Sequence, residues 1–291
     1  MRMESQCIEC LISRVRYEAM LASTDDEVVF SACEAALRAM CEALSHTRCS
    51  ASVATMVHRA AYDALGCDDP YAEIKRMCNA TALRALPTAE RLIEQAPSPE
   101  ERLRRALLLA TIGNAFDFGV AGFEVPHERF ERELLERCRR GFDVDHTAEM
   151  VPLLEDVVYL TDNCGEVVLD ALVLRELKSM GARITLVVKG APIITDATLE
   201  DVHALGLDAH VDSVLTTGSN AIGVCLEEAP PELVRALDNA SLVIAKGMAN
   251  YESLSEHTLR VPVGYFMMAK CDVVAKSLGV QRGMLVAMLV Q

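Results

Sequence analysis

One stretch constrains this chain more than any other: Val157-Val158-Tyr159-Leu160-Thr161-Asp162-Asn163-Cys164-Gly165-Glu166-Val167-Val168-Leu169-Asp170. Val157 to Leu160 are all β-formers, which suits a strand covered on both faces, as in a parallel sheet. The residues that follow carry Val167, Leu169 or Leu172, Leu174 and Leu177 at helical spacing. Asp162 and Asn163 then fall at the strand's carboxyl end. In open α/β sheets ligands bind at that edge, because strand-to-helix loops converge there and a helix amino terminus supplies unpaired N–H groups. A carboxylate beside an amide oxygen is a hard, all-oxygen pair of the kind that favours magnesium or manganese.

Asp-Asn-x-Gly could also simply cap a helix, since these are common turn and cap residues. The next unit argues for chemistry. Arg183 to Lys189 reads as a second strand running into Gly190-Ala191-Pro192-Ile193-Ile194-Thr195-Asp196-Ala197-Thr198, so Asp196 reaches the same sheet edge. Two acids and an amide converging there would be stabilised most simply by a divalent cation. Val211 to Thr217 reads as a third strand, followed by the small-residue loop Gly218-Ser219-Asn220-Ala221-Ile222-Gly223. Val224-Cys225 stands where a Walker motif needs Lys and Ser or Thr, which excludes a nucleotide triphosphatase but leaves loop N–H groups for one phosphate. Ser241 to Ala245 is a fourth strand ahead of Lys246, Tyr265 to Ala269 a fifth ending at Lys270, and Met284 to Val290 a closing strand. Lys189, Lys246 and Lys270 are candidate anion contacts around the metal. Such a site suits phosphoryl groups. Phosphomonoester hydrolysis needs accelerations up to ~10²¹, of which general acid or base catalysis supplies about 10²–10⁴. Electrostatic stabilisation must supply much of the rest.

The first half has a different period. Helices are expected over Ser5 to Leu21, Asp25 to Ser45, Ser50 to Leu65, Pro70 to Leu86, Thr88 to Gln95, Pro99 to Phe116 and Pro126 to Arg140. Ser98-Pro99-Glu100-Glu101 is the clearest start, with a capping Ser and Pro at the first helical position. The polar stretch Gly141 to Met150 reads as a linker. The expected architecture is therefore an all-helical domain over residues 1–150 that contributes to the active-site cleft, followed by a mostly parallel, Rossmann-like α/β/α sheet domain over residues 151–291. Asn114 and Asp117 lie one helical turn apart, as do Tyr71, Lys75 and Asn79, and each set could be presented together or could merely cap and solvate a helix.

A chain of 291 residues with 51% hydrophobic and 24% charged content has ample core. Its formal charge of -15 argues against a nucleic-acid partner. No leader-like start and no bilayer-length apolar run are apparent, so a cytoplasmic location without membrane association is expected. Eleven cysteines, odd in number, suit reduced thiols. Cys7-x-x-Cys10 and His46-x-x-Cys49 could frame a zinc site, although helical spacing alone puts each pair on one face.

Several separated motifs resemble, in order, those of the metal-dependent damage-control phosphatases, a family long catalogued as a domain of unknown function. They are Asp69-Pro70-Tyr71, Gly113-Asn114-x-x-Asp117-Phe118-Gly119, Asp162-Asn163-Cys164-Gly165-Glu166, Val188-Lys189-Gly190-Ala191-Pro192 with Asp196-Ala197-Thr198, Lys246-Gly247-Met248-Ala249-Asn250-Tyr251-Glu252 and Ala269-Lys270-Cys271. Cys7-x-x-Cys10 resembles the mark of the mainly prokaryotic branch. Met267-Met268-Ala269-Lys270 departs from the arginine-threonine-x-lysine form of another branch. The resemblance implies a divalent metal held by Asp162, Asn163 and Asp196, with manganese or magnesium expected and cobalt or nickel compatible. It implies hydrolysis of phosphate esters of small metabolites such as sugar phosphates, nucleotides or damaged phosphometabolites. Lys246 joins the three ligands as a catalytic residue. Asn114, Asp117, Asn250, Glu252 and Lys270 are the implied substrate contacts. A carboxyl methyltransferase using S-adenosylmethionine and a non-enzymatic regulator that binds metal or a phosphometabolite remain the alternatives.

Overall fold

The computed structural model describes residues 1–115 and 127–291, so Asp117 lies outside the described residues. Six helices come first: α1 (Ser5–Ala22), α2 (Asp26–His46), α3 (Ser50–Leu65), α4 (Ala72–Glu94), α5 (Pro99–Ala115) and α6 (His127–Arg140). The sheet and its helices follow as β1 (Val144–Asp145), α7 (Thr147–Met150), β2 (Asp156–Leu160), α8 (Glu166–Ser179), β3 (Arg183–Val188), α9 (Leu199–Leu205) and β4 (Ser213–Thr216). The chain ends through α10 (Pro231–Asn239), β5 (Leu242–Lys246), α11 (Gly247–Leu254), β6 (Val263–Met268), α12 (Asp272–Leu278) and β7 (Leu285–Val290). No helix among the described residues is long and apolar enough to cross a membrane.

The strands lie in the order β1-β7-β6-β5-β2-β3-β4. β6, β5, β2, β3 and β4 are parallel to one another, while β7 runs antiparallel to β6 and carries β1 beside it. The chain winds from β2 towards β3 and β4, then returns to place β5 on the other side of β2. The winding direction therefore reverses between β2 and β5, which leaves a crevice at their carboxyl ends.

Strand parity explains why these segments read as continuous apolar runs. Val157, Tyr159, Leu242 and Ile244 join one core with Leu169 and Val173 of α8. Val158, Leu160, Val243 and Ala245 join another with Leu233, Leu237 and Val274. The first of these cores also takes in Ala85 and Ala89 of α4, Leu107 of α5 and Leu134 of α6, so these helices form a further layer over α8. α1, α2 and α3 share a core that reaches Ile193 and Ile222 on the sheet's carboxyl-edge loops.

Two local expectations change. The segment read as a linker supplies an edge strand and a short helix, because its acids act as local acceptors: Asp143 Oδ2 takes the Leu285 N–H at 2.8 Å and Asp145 Oδ1 the Thr147 N–H at 3.1 Å. The expected break before Thr88 is absent, and α4 runs through Pro87. Buried Ala82, Ala85, Ala89 and Ile93 on both sides of Pro87 keep the helix packed despite one missing N–H. Pro87 is exposed. Pro87→Ala should therefore raise stability, by up to about 3 kcal/mol in urea unfolding; a destabilised variant would show that the packing needs the proline.

Candidate active site

Asp162 leaves the end of β2 and is buried, with only 6% of its surface exposed. Its carboxylate rests on Gly247, the first residue after β5. Gly247 has φ +77°, and a Cβ there would lie 1.9 Å from Asp162 Oδ2. Only glycine meets both conditions, so the close approach of β2 and β5 depends on it. Asn114 Nδ2 donates to Asp162 Oδ2 at 2.7 Å and to Glu166 Oε2 at 2.8 Å. The preceding Gly113 makes this reach feasible, since a Cβ there would crowd Leu169 Cδ1 at 3.1 Å and Glu166 Cα at 3.3 Å.

Asn163 donates through Nδ2 to Asp162 Oδ2 at 2.6 Å and accepts from Thr195 Oγ1 at 2.6 Å through Oδ1. A backbone bridge between Asn163 and Asp196 brings the second acid alongside. Lys189 Nζ stands 3.5 Å from Asp196 and donates to Ala221 O at 2.8 Å and to Gly223 O. Burial pushes the Asp196 carboxyl up against the opposing pull of Lys189. Asp162 is pushed well above the carboxylate range, first by burial and then by the charges of Glu166 and Asp196. The donor set thus fits a hard divalent cation: two buried carboxylates whose mutual repulsion a cation would relieve, and an amide oxygen with a second lone pair beyond the one used by Thr195. Among the described residues no three His, Cys, Asp or Glu side chains gather as a metal site, which gives no support to zinc at Cys7, Cys10, His46 and Cys49.

The helical layer braces both loops. Asn79 accepts the Gly165 N–H at 2.6 Å and donates to Asp201 at 3.0 Å, while Lys75 pairs with Asp69 at 2.5 Å. Ile194 has φ +44°, an unfavourable conformation for a β-branched residue. Its N–H donates to Tyr62 Oη at 3.1 Å. Behind Tyr62, His58 Nδ1 lies 2.8 Å from the buried carboxylate of Glu18, which also accepts from Tyr71 Oη at 3.4 Å. Sequence patterning did not single out Tyr62, Glu18 or His58, because their role depends on which helix covers the loop.

Three expectations need correction. Lys246 is fully buried and turned away from the crevice, donating to Glu166 Oε1 at 2.5 Å and Asp170 Oδ1 at 2.7 Å. Parity places it on the α8 side of β5 with Leu242 and Ile244. Glu166 and Asp170, four apart in the stretch 166–174 of α8 that is otherwise apolar, were the available signal that a buried cation must face them. Asn250 is likewise turned inward, where Nδ2 donates to Thr161 O at 2.9 Å and Lys246 O at 2.7 Å and so ties the ends of β2 and β5. The loop 218–223 offers a phosphate fewer N–H groups than expected, because those of Ala221 and Ile222, and of Val224 just beyond, are taken by Ser219, Thr55 and Ser253 hydroxyls.

The crevice itself is a cavity of about 160 Å³ whose wall includes Asn114, Asp162, Asn163, Asp196, Glu252 and Lys270. A larger void of about 510 Å³ beside α5 and α6 contains none of them. Lys270 follows β6 and faces Asp162 electrostatically, with no ion-pair partner among the described residues. Arg14 of α1 also lines the cavity, a contribution missed in the sequence because no local motif marks it. Burial pushes the Glu252 carboxyl up, partly offset by a hydrogen bond from Ser50.

Fold and site together define an α/β protein with a buried acidic centre at the reversal point of its sheet, covered by helices. The chain belongs to the damage-control phosphatase ARMT1-like domain family, which matches residues 3–286. It is 39% identical over all of both chains to a protein of Archaeoglobus fulgidus named damage-control phosphatase. It is 29% identical to a damage-control phosphatase of Pyrococcus horikoshii, covering 99% of this chain and 98% of that one. The crystal structure of a Pyrococcus horikoshii protein described as a DUF89 family protein superposes with a TM-score of 0.88 at 28% identity, covering 99% of each chain.

Two substitutions probe this geometry. Gly247→Ala should displace Asp162 and abolish any rise in melting temperature produced by manganese, with helical circular dichroism retained; an unchanged metal response would disprove the contact's importance. Lys246→Met should leave Glu166 and Asp170 buried without their cation and cost about 3–5 kcal/mol in urea unfolding. A loss below ~1 kcal/mol would show that this pairing contributes little.

Proposed function

We propose that this chain is a divalent-metal-dependent phosphatase acting on phosphate monoesters of small metabolites. The observation that carries the reading is the convergence of buried Asp162 and Asp196 on one small cavity beside Lys270, which has no ion-pair partner among the described residues. Family membership and the names of two relatives support phosphatase chemistry. Manganese or magnesium is the expected ion, held by Asp162, Asp196 and Asn163 Oδ1. When bound it would supply Lewis-acid stabilisation of phosphate oxygens and a more acidic water.

The chain's own residues have separable tasks. Lys270 offers a compact positive charge to the phosphate as negative charge shifts towards the leaving oxygen. Asn114 fixes the orientation of the Asp162 carboxylate, and Asn163 and Thr195 lock the adjoining loops together. Lys246 acts at one remove, by holding Glu166 and Asp170 in place. Glu252 and Arg14 line the part of the cavity left for the rest of the substrate. That volume suits a small molecule. A methyltransferase would need a glycine-rich turn after the first parallel strand, and Asp162-Asn163-Cys164-Gly165 stands there instead.

The test is turnover of a generic phosphate monoester across a manganese titration, with metal binding followed separately by melting temperature. Asp196→Ala should lose both the metal-dependent turnover and the metal-induced stabilisation. Lys270→Met should keep the stabilisation while kcat/KM falls roughly 10- to 150-fold, the equivalent of one charged hydrogen bond. Metal-independent turnover, or full activity in Asp196→Ala, would overturn the reading.

A further inference from the structure

Outside the cavity, the fold brings three thiols together. Cys7 and Cys10 lie near the start of α1, and Cys271 caps α12, its Sγ accepting the Val274 N–H at 3.5 Å. The start of the chain is docked at this place. The Met1 ammonium donates to Glu252 O at 2.7 Å and pairs with Glu256 at 2.6 Å, and Glu4 pairs with Lys276 of α12 at 2.7 Å. Cys7 and Cys271 border the same apolar core. Glu252 and Cys10 lie close enough to both Cys7 and Cys271 for their negative forms to disfavour a thiolate at either position, although burial is the larger influence on both thiols.

We propose that Cys7 and Cys10 are a redox-active dithiol that closes to a reversible disulfide, with Cys271 as the adjoining thiol able to exchange with it. Within a helix, a rise of 1.5 Å and a turn of 100° per residue put Cα atoms three apart at about 5 Å, inside the roughly 4.4–6.8 Å span of disulfides. This is the one C-x-x-C pair among the eleven cysteines. Cys10 is exposed and Cys7 half-buried, which assigns an order to the steps. The co-reactant is a small oxidised disulfide such as oxidised glutathione. The Cys10 thiolate attacks one of its sulfurs, breaking that S–S bond and releasing one small thiolate. The Cys7 thiolate then attacks Cys10 Sγ in the mixed disulfide, forming the Cys7–Cys10 bond and releasing the second. The two thiol protons end on the two released thiols, and the pair of electrons from Cys7 and Cys10 has reduced the co-reactant. Among the described residues no three His, Cys, Asp or Glu side chains gather as a metal site, so chemistry taking two sulfurs at a time suits these thiols better than metal binding. Because Cys271 follows Lys270 directly, the dithiol lies beside the cavity without belonging to it.

The experiment uses the intact folded protein, exposed to excess oxidised glutathione, quenched with N-ethylmaleimide, then denatured and cut with trypsin. Cys7 and Cys10 fall on one tryptic peptide, Met3 to Arg14, and Cys271 on another, Cys271 to Lys276. The expected result is a Met3-to-Arg14 peptide lighter by two hydrogens and unlabelled, restored to two labels by dithiothreitol. Exposed Cys41, by contrast, should carry only a glutathione adduct or the label. In Cys10→Ser, the same treatment should instead link the Met3-to-Arg14 and Cys271-to-Lys276 peptides. A doubly labelled wild-type peptide, or glutathione on Cys10 with Cys7 labelled, would overturn the dithiol. A wild-type link to Cys271 would overturn the Cys7–Cys10 pairing, and no link in Cys10→Ser would remove Cys271 from the site. The readout is independent of phosphate-ester turnover.

Discussion

Two carboxylates, Asp162 and Asp196, are held out of water at one edge of the sheet, and much of the surrounding polar structure answers to that constraint. A buried carboxylate is costly unless it is hydrogen-bonded, paired or bound to a cation. Asp162 receives two amide N–H groups, from Asn114 and Asn163, and Asp196 has Lys189 beside it. Gly247 gives the Asp162 carboxylate its space, and Asn250 clamps the two strand ends whose spacing sets that contact. The site is a consequence of sheet topology. It lies where the winding reverses, and the residues that make it come from both sides of the reversal.

Behind it sits a second charged group with a different purpose. Lys246, Glu166 and Asp170 are all buried, with Tyr159 Oη also donating to Asp170 at 2.6 Å. Asp170 Oδ2 has no hydrogen-bond partner among the described residues. Two carboxylates against one ammonium leave this group net negative, and burial keeps the Glu166 carboxyl raised despite the lysine. Such a group adds little net stability over apolar packing, but it fixes the relative positions of its members strongly. Here it joins the end of β5 to the first turns of α8, so Glu166 is held where Asn114 can bridge it to Asp162.

The helical layer is part of the site's construction. Asn79 holds the turn after Asn163, Tyr62 accepts the N–H of the left-handed Ile194, and Arg14 closes one wall of the cavity. The core under α8 runs without interruption into α4, α5 and α6. A carboxylate pair at a sheet edge would otherwise stand open to solvent, where water would screen its interactions; the helices supply the low-dielectric cover that strengthens them.

Much of this was legible in the sequence for local reasons. A strand buried on both faces must be apolar at every position, and a turn into a helix must use residues such as Asp, Asn and Gly, so the order of strands, polar turns and helices could be read directly. Asp162, Asn163 and Asp196 could be assigned to one edge because each follows a parallel strand at its carboxyl end. Side-chain direction at the end of a strand was another matter. Lys246 and Lys270 both stand at the carboxyl end of a strand and look equivalent in sequence, yet parity and the acids of α8 turn the first inward, while the second faces the cavity. Helix continuation through Pro87 and the entry of Arg14 were also decided by packing, which local propensity does not contain. The sequence by itself determined which groups reach the sheet's edge, since that follows from backbone period. Only the tertiary structure decided which of them meet, since contact across distant elements depends on how the layers cover one another.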